Sequence, residues 1–435
     1  MPSLQTPGSC LSDARTRGEA QTPPRTSGRQ RDGTGPWQRG LKAAAIIVAV
    51  VIPVSDAAAL WRDTLEVLVT EAVTHDDNVF RLSSGSDPAV VLGSSSKGDT
   101  YTTTSLGFRL DLPVSRQRFL AGLTWNDNRY DRYTVFNFTG HNGRAIWKWQ
   151  AGNDLSGELG YTETLELASL ANIQGNAQSI TANPLKTQRT FLNGAYMLTP
   201  RWRLQGELSR REQSSEVFQE NDIGINGTDL TVSYITPADN QVGVNLRVED
   251  GSFPNPQLVA GNPVDNAYRQ QSVAAVLGWT LTGHSRMSAR AGWTIRDYEQ
   301  LSQRDFDGPM YRATYEWAPT GKFMVTAIAQ RDISADEQVT TSFALVKGIM
   351  VYPTLRFTEK INLSGGLEYG NRDILGDPTG VTRTDRVRAV ALTGTYKPIR
   401  PVTLEMRFRR ETRSTTLAVG DYEVGIVSLS AGISF

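Results

Sequence analysis

From about Leu60 to its last residue this chain alternates, one side chain apolar and the next polar, and that period permits little except β-strands. In "SLGFRLDL", Leu106, Phe108, Leu110 and Leu112 face one way, while Gly107, Arg109 and Asp111 face the other. "WRLQGELS" sets Trp202, Leu204, Gly206 and Leu208 against Arg203, Gln205 and Glu207. "VGVNLRVE", "RMSARAGWTIR" and "VTLEMRFRR" repeat the pattern. The final stretch, "EVGIVSLSAGISF", carries Val427, Leu429, Ala431, Ile433 and Phe435 on one face and stops there.

Alternation alone suits a soluble sandwich as well as a membrane barrel. The turns separate the two. Short turn signals stand at Pro113, Gly152, Thr199, Thr236, Thr282, Ala318, Thr358 and Lys397. They recur about every 40 residues, the length of two strands and one longer loop. Polar stretches of variable length lie between them, such as residues 83–99, 168–184 and 251–265. The reading is an all-β fold: a transmembrane antiparallel β-barrel of the outer-membrane type, with short periplasmic turns and long extracellular loops. It predicts about 18 strands of about 9–14 residues. An even number puts both strand ends on one side. An open edge in lipid would leave backbone groups unpaired. The first strand, from near Thr64, is therefore expected to pair with the last, ending at Phe435. Tyr161, Tyr196, Tyr234, Trp279, Trp293, Tyr315, Trp317, Tyr369 and Tyr396 share the apolar face, as interfacial aromatic girdles do.

The first 59 residues read differently. Residues 1–40 are polar and rich in Pro, Gly, Ser and Arg. Arg39 and Lys42 then precede "AAAIIVAVVIPV" and "SDAAA", the order of a secretory signal peptide. The apolar run is short for a membrane-spanning helix. The expected division is thus 1–59, a leader plus cleavable signal peptide, and 60–435, a single barrel. Cleavage after Ala59 would remove 7 of the 45 basic and 4 of the 45 acidic residues, leaving 38 against 41. It would also remove Cys10, the one cysteine. Balanced charge gives no nucleic-acid footprint, and disulfides cannot hold the remainder together.

If the apolar faces meet lipid, the charged faces line a lumen. Basic candidates are Arg109, Arg118, Arg203, Arg247, Arg290, Arg296, Arg312, Arg407 and Arg409. Acidic candidates are Asp111, Glu158, Glu207, Asp229, Glu249, Glu316, Glu368 and Glu405. The near balance suits a neutral or mixed-charge cargo, or ion-pair networks that satisfy one another. Arg386 and Arg388 break the pattern by sharing parity with Val390 and Leu392, and are placed at the outer rim. The loops after the first and fifth strands are the candidates for inward constrictions. The sequence holds three histidines, His75, His141 and His284, with no G-x-S-x-G, H-E-x-x-H or metal-spaced cluster. "HDDN" at His75 lacks the spacing of a calcium loop. No enzyme activity, metal or cofactor is expected.

The order of pieces resembles one family. "THDDNVFRL", "FLAGLTWNDNRYDRY", "WKWQAGNDLSGELGYTETLELASLAN", "LNGAYMLTPRWRLQGELSRRE" and the closing "SLSAGISF" look like the exosortase-B-associated outer-membrane proteins of exopolysaccharide biosynthesis, the EpsL type. Leu429, Ile433 and Phe435 similarly resemble the terminal signal read by the barrel-assembly machinery. The resemblance implies an outer-membrane protein that assists export of an extracellular polysaccharide, performs no chemistry, and meets lipid, polysaccharide cargo and periplasmic export proteins. A scaffold barrel of the polysaccharide or protein-sorting machinery, and a general small-solute porin, are the alternatives.

Overall fold

The computed structural model describes residues 64–168, 182–259, 262–335, 343–376, 382–416 and 420–435. The expected leader, residues 1–59, and most of the loop after the fifth strand lie outside that set. In chain order the strands are β1 (Leu65–Asp76), β2 (Asp99–Val114), β3 (Gln117–Tyr130), β4 (Phe138–Ala151), β5 (Leu155–Leu167), β6 (Pro184–Thr199), β7 (Trp202–Ser215), β8 (Ile223–Ile235), β9 (Gln241–Ser252), β10 (Gln257–Val259), β11 (Asn262–Val264), β12 (Tyr268–Thr282), β13 (Ser285–Tyr298), β14 (Phe306–Trp317), β15 (Phe323–Ala335), β16 (Phe343–Arg356), β17 (Ile361–Leu375), β18 (Arg383–Tyr396), β19 (Val402–Thr415) and β20 (Tyr422–Ser434). β10 and β11 pair only with each other, inside the loop between β9 and β12. The other strands form one 18-stranded antiparallel sheet. Among the described residues no helix is long and apolar enough to cross a membrane.

The sheet closes on itself. β1 pairs with β2 on one side and with β20 on the other, from Leu68 opposite Ser434 to Asp76 opposite Ile426. Val67 and Phe435 exchange both backbone hydrogen bonds, at 3.1 and 2.9 Å. Phe435 thus belongs to the closing ladder. At the other end of the seam the Asp77 carboxylate accepts the Gly425 amide at 2.8 Å, and the Asn78 side-chain amide donates to the Glu423 carbonyl at 2.9 Å. The "DDNVFRL" and "NDNRYDRY" pieces meet near this point, where the Phe80 ring stands edge-on to Tyr133, centroids 4.6 Å apart.

Every short turn expected from sequence joins two strands at the end of the barrel that also holds both strand termini. Their chemistry is repetitive. Thr199, Thr320 and Thr358 each accept two amides from the next two or three residues, and Thr236 and Thr282 each accept one. A threonine hydroxyl here completes a tight turn that the backbone leaves open. Two of the three remaining turns use positive φ, at Ser115 (56°) and Gly152 (67°). The loop end is longer and more irregular, as it is in outer-membrane barrels.

The barrel strands run 12 to 16 residues, somewhat longer than expected. The outside shows why. On β9 the outward positions are Val242, Val244, Leu246 and Val248, followed by Asp250. On β19 they are Leu404, Met406 and Phe408, then Arg410; on β7, Trp202, Leu204, Gly206 and Leu208, then Arg210. Three to five apolar positions cover roughly 15–27 Å along a tilted strand, the dimension of a lipid-facing belt. The strands then continue past the belt toward the loops. There a ring of exposed charged pairs takes over: Arg129–Asp127 at 2.7 Å, Arg269–Asp250 at 3.6 Å and Arg410–Glu423 at 2.9 Å. Arg386 and Arg388 lie in that ring, with the Arg388 guanidinium 5.9 Å over Tyr369. Aromatics mark both borders of the belt. Phe119 stacks on Trp147 and Trp202 meets Tyr234 on the turn side; Trp125, Trp293 and Tyr369 face outward on the loop side.

An arginine in the belt must cost more than one at its border. Leu246→Arg is expected to lower the free energy of folding into vesicles by about 2–4 kcal/mol, and Gln271→Arg, near the loop-side border, by less than about 1 kcal/mol. Urea titration of the refolded protein checks both; equal losses would contradict the placement of the belt.

Candidate functional site

Inward side chains follow from the register, since paired residues share a face. Arg109, Asp111, Arg118, Arg203, Glu207, Arg247, Glu249, Arg290, Arg296, Arg312, Glu316, Glu405, Arg407 and Arg409 all lie on the face opposite the exposed apolar belt. Many of them are brought together as ion pairs. Arg109 meets Glu66 at 2.6 Å, Arg118 meets Asp111, and Arg189 meets Glu207. Arg247 meets Asp229 at 2.8 Å, Arg407 meets Glu405 at 2.8 Å, and Arg409 bridges Glu368 (2.9 Å) and Glu411 (2.7 Å). Most of these pairs run between neighbouring strands or along one strand, and Arg409–Glu368 reaches across β18 from β19 to β17, so they brace the wall.

The two ends of the lumen differ sharply in exposure. Near the turns the side chains of Arg109, Arg118 and Arg407 are 52%, 55% and 61% exposed. Near the loops the inward Arg383, Asp385 and Arg413 side chains are 4%, 1% and 6% exposed. A polar cavity of about 850 Å³ opens on the turn side of the inner wall, reaching from Arg118 across Lys148, Glu158 and Gln205 to Asp229. The barrel is therefore open and wet at its turn end and packed at its loop end.

A bent hairpin accounts for much of that packing. β14 and β15 pair only from Trp317 opposite Val325 to Tyr311 opposite Arg331. Beyond that point β15 keeps pairing with β16 as far as Ala335 opposite Phe343, while β14 keeps pairing with β13 as far as Phe306. The loop end of β15–β16 has parted from β14, while β16 stays paired with β17 up to Phe343 opposite Leu375. Phe343 and Leu345 share parity with the outward Ile349, yet they are buried in a cluster with Ile223, Ile225, Tyr268, Tyr298 and Phe306, all on the inner face of β8 and β12–β14. The hairpin can reach those residues only by bending into the barrel mouth. Pro309 lies on the edge of β14 that β15 vacates, where a residue without an amide proton is least costly.

Arg296 pins the hairpin. It is 6% exposed, with its guanidinium 4.1 Å over the Tyr268 ring and 5.4 Å from Phe343. Its Nε and Nη2 donate to the Gln270 carbonyl oxygen at 3.0 and 2.7 Å, and Gln270 donates to Glu249 at 2.9 Å. Phe343 also packs on Tyr298 and edge-on to Phe306, centroids 6.4 and 6.1 Å away. Aromatic and cation–π contacts of this kind are worth about 0.5–2 kcal/mol each.

The loop after the first strand is little buried. Its short helix, Pro88–Leu92, is exposed, with Val90 82% accessible. Only its base, Asn78 and Val79, is buried. The bulk of the loop after the fifth strand is outside the described residues. Sequence reasoning missed Phe343, Tyr268 and Tyr298. The available signal was a break in the code: "FALV" (Phe343–Val346) is apolar at every position, and Ile223, Ile225, Tyr268, Tyr298 and Phe306 put apolar groups on the inward parity near the loops.

The histidines have partners that suit structure. His141 shares a 2.7 Å hydrogen bond with Glu163 on the outer face; His75 meets Thr100 and His284 meets the Ala318 carbonyl. None of the three contacts a serine hydroxyl. Among the described residues no group of three His, Cys, Asp or Glu is arranged to hold a metal.

Residues 277–435 match the family described as "Putative beta-barrel porin 2" (BBP2_2). No curated protein matches the sequence. Similar solved structures include the outer membrane protein OpdK of Pseudomonas aeruginosa, 10% identical, with 85% of this chain and 99% of that chain covered and a TM-score of 0.47. OccK2 (OpdF) of the same organism is 10% identical over 86% and 98%, with a TM-score of 0.48. A BenF-like porin from Pseudomonas fluorescens Pf-5 is 10% identical over 86% and 99%, with a TM-score of 0.47. The fold stands on the strand register and not on these likenesses. The closed sheet and its apolar belt make the chain a β-barrel of the bacterial outer membrane, and its C-terminal region is similar to a family of β-barrel porins.

Removing the hairpin's anchor is expected to open the mouth. Phe343→Ala combined with Arg296→Gln should raise single-channel conductance in planar bilayers at least about twofold while heat-modifiable mobility on gels is retained; loss of about 3–5 kcal/mol of packing falls on the hairpin and not on the barrel wall. Unchanged conductance would show that the hairpin does not set the constriction.

Proposed function

We propose that the protein is a diffusion channel for small polar solutes, narrowed at its outer mouth by the β15–β16 hairpin. The observation that carries this reading is the gradient along the lumen: a polar vestibule of about 850 Å³ on the turn side, and beneath the hairpin a cavity of about 300 Å³. The smaller space is at the lower end of the range for small-molecule sites. The ion-paired wall keeps the route hydrated without presenting one dominant charge. The matched porin family supports the same reading for the C-terminal strands.

Export of an exopolysaccharide is the second reading. It rests on the EpsL-type pieces, of which "DDNVFRL" and "NDNRYDRY" interlock beside the β1–β20 seam. In the channel reading these pieces close the barrel and take no cargo. A scaffold role would need no through-route at all.

Liposomes carrying the refolded protein should swell in arabinose or glucose and fail to swell in oligosaccharides of about five or more units, as a 300 Å³ passage requires. A deletion strain should then export its extracellular polysaccharide normally. Polymer trapped in the periplasm of that strain would instead support the export reading, and a barrel that admits no solute would sink the channel reading.

A further inference from the structure

At one step of the inner wall, among the described residues, two arginines face each other with no carboxylate beside either. Arg290 on β13 and Arg312 on β14 stand directly opposite each other, both inward. Like charges in that position oppose strand pairing. Neither has a carboxylate within ion-pair distance; Arg312 donates to the Gln330 carbonyl oxygen at 2.7 Å, and Arg290 makes no hydrogen bond. The comparison within the same wall is informative. Arg189 and Arg211 are also directly opposed, but there Arg189 is neutralised by Glu207. At the Arg290–Arg312 pair neither arginine makes such a contact among the described residues.

That pair lines the 300 Å³ cavity under the bent hairpin, together with Arg247, Ser288 and Thr314. Three acidic groups stand nearby, against the four arginines of the lining, Arg247, Arg290, Arg312 and Arg331. Asp229 and Glu249 face Arg247, at 2.8 and 4.0 Å. Asp332, which also borders the cavity, accepts the amide of Ile333 at 2.9 Å. Two guanidinium forks with donors to spare, on adjacent strands, offer an oxyanion the paired planar donors it needs. The hydroxyls of Ser288 and Thr314 add neutral donors on the same two strands.

We infer that the Arg290–Arg312 pair is an oxyanion-binding subsite, at which the channel holds the carboxylate or phosphate group of a small solute beneath the hairpin. The inference deepens the channel reading and rests on it for its transport consequence, but the binding step needs no conduction. Where Arg189 faces Arg211 the wall supplies the counter-ion through Glu207; here the solute supplies it. Anionic solutes are then favoured over neutral sugars of the same size.

The test is calorimetric titration of the refolded full barrel in detergent with succinate, with inorganic phosphate and with glucose. Binding of succinate or phosphate, weakened about tenfold or more in Arg290→Gln/Arg312→Gln and unaltered in the outer-surface variant Arg388→Gln, would support the subsite. Succinate alone would assign a carboxylate solute, and phosphate alone a phosphorylated one. No anion binding by the wild-type barrel, or equal binding by the double variant, would overturn it even if the barrel conducts. Binding without any solute flux through liposomes would keep the subsite and reject the channel.

Discussion

Closure of the sheet is the constraint on which everything else rests. In hydrocarbon an unpaired strand edge exposes a row of backbone donors and acceptors with no water to satisfy them. The chain meets this by returning its last strand to its first, with the ladder complete through Val67 and Phe435. Once the sheet is closed, every side chain has one of two solvents, and alternation follows. Lipid takes Leu246 and Phe408; the lumen takes Arg247 and Arg409. The seam is reinforced outside the belt by Asp77 and Asn78, which bind the β20 backbone where the ladder alone would fray.

Within that frame the lumen has been furnished unevenly. Ion pairs between neighbouring strands keep the turn-side wall polar and braced, and their exposure shows that water reaches them. The loop side is a small hydrophobic core placed inside a barrel. It exists because β14 and β15 stop pairing at Tyr311 and Arg331, which frees the upper hairpin to fold inward. The cost of releasing a ladder edge is offset by burying Phe343, Leu345 and Ala344 against the opposite wall, and Arg296 gives that contact a fixed address. Burial of the arginine is tolerated because two rings and Gln270 surround its charge.

Much of this was legible in the sequence. Strand number, the turn at each of the eight sites, the closing pair and the inward parity of the charged residues all follow from a two-residue period and turn chemistry, which are local properties. The bent hairpin is not local. Phe343 sits on the lipid-facing parity of its own strand, and only the missing β14–β15 pairs, a tertiary fact, send it into the lumen. The failed pairing at Arg290–Arg312 was hidden for a similar reason. Overall charge balance said that the signs cancel, and only the register shows two arginines set directly opposite each other with no carboxylate beside either. The constriction was sought in long loops because loops vary; the structure builds it from strands.

The account's central claim is a lumen open at the turn end and closed at the loop end. The chain from Leu60 contains no cysteine, so single cysteines report accessibility cleanly. The direct measurement is the rate at which a membrane-impermeant maleimide labels Gln205→Cys, in the vestibule, and Ala389→Cys, inward beneath the packed mouth, in the refolded barrel. The account predicts fast labelling of the first and labelling slower by about tenfold or more for the second, the protection expected of a buried position. Equal rates at the two sites would contradict it, and would mean that the barrel is open from end to end.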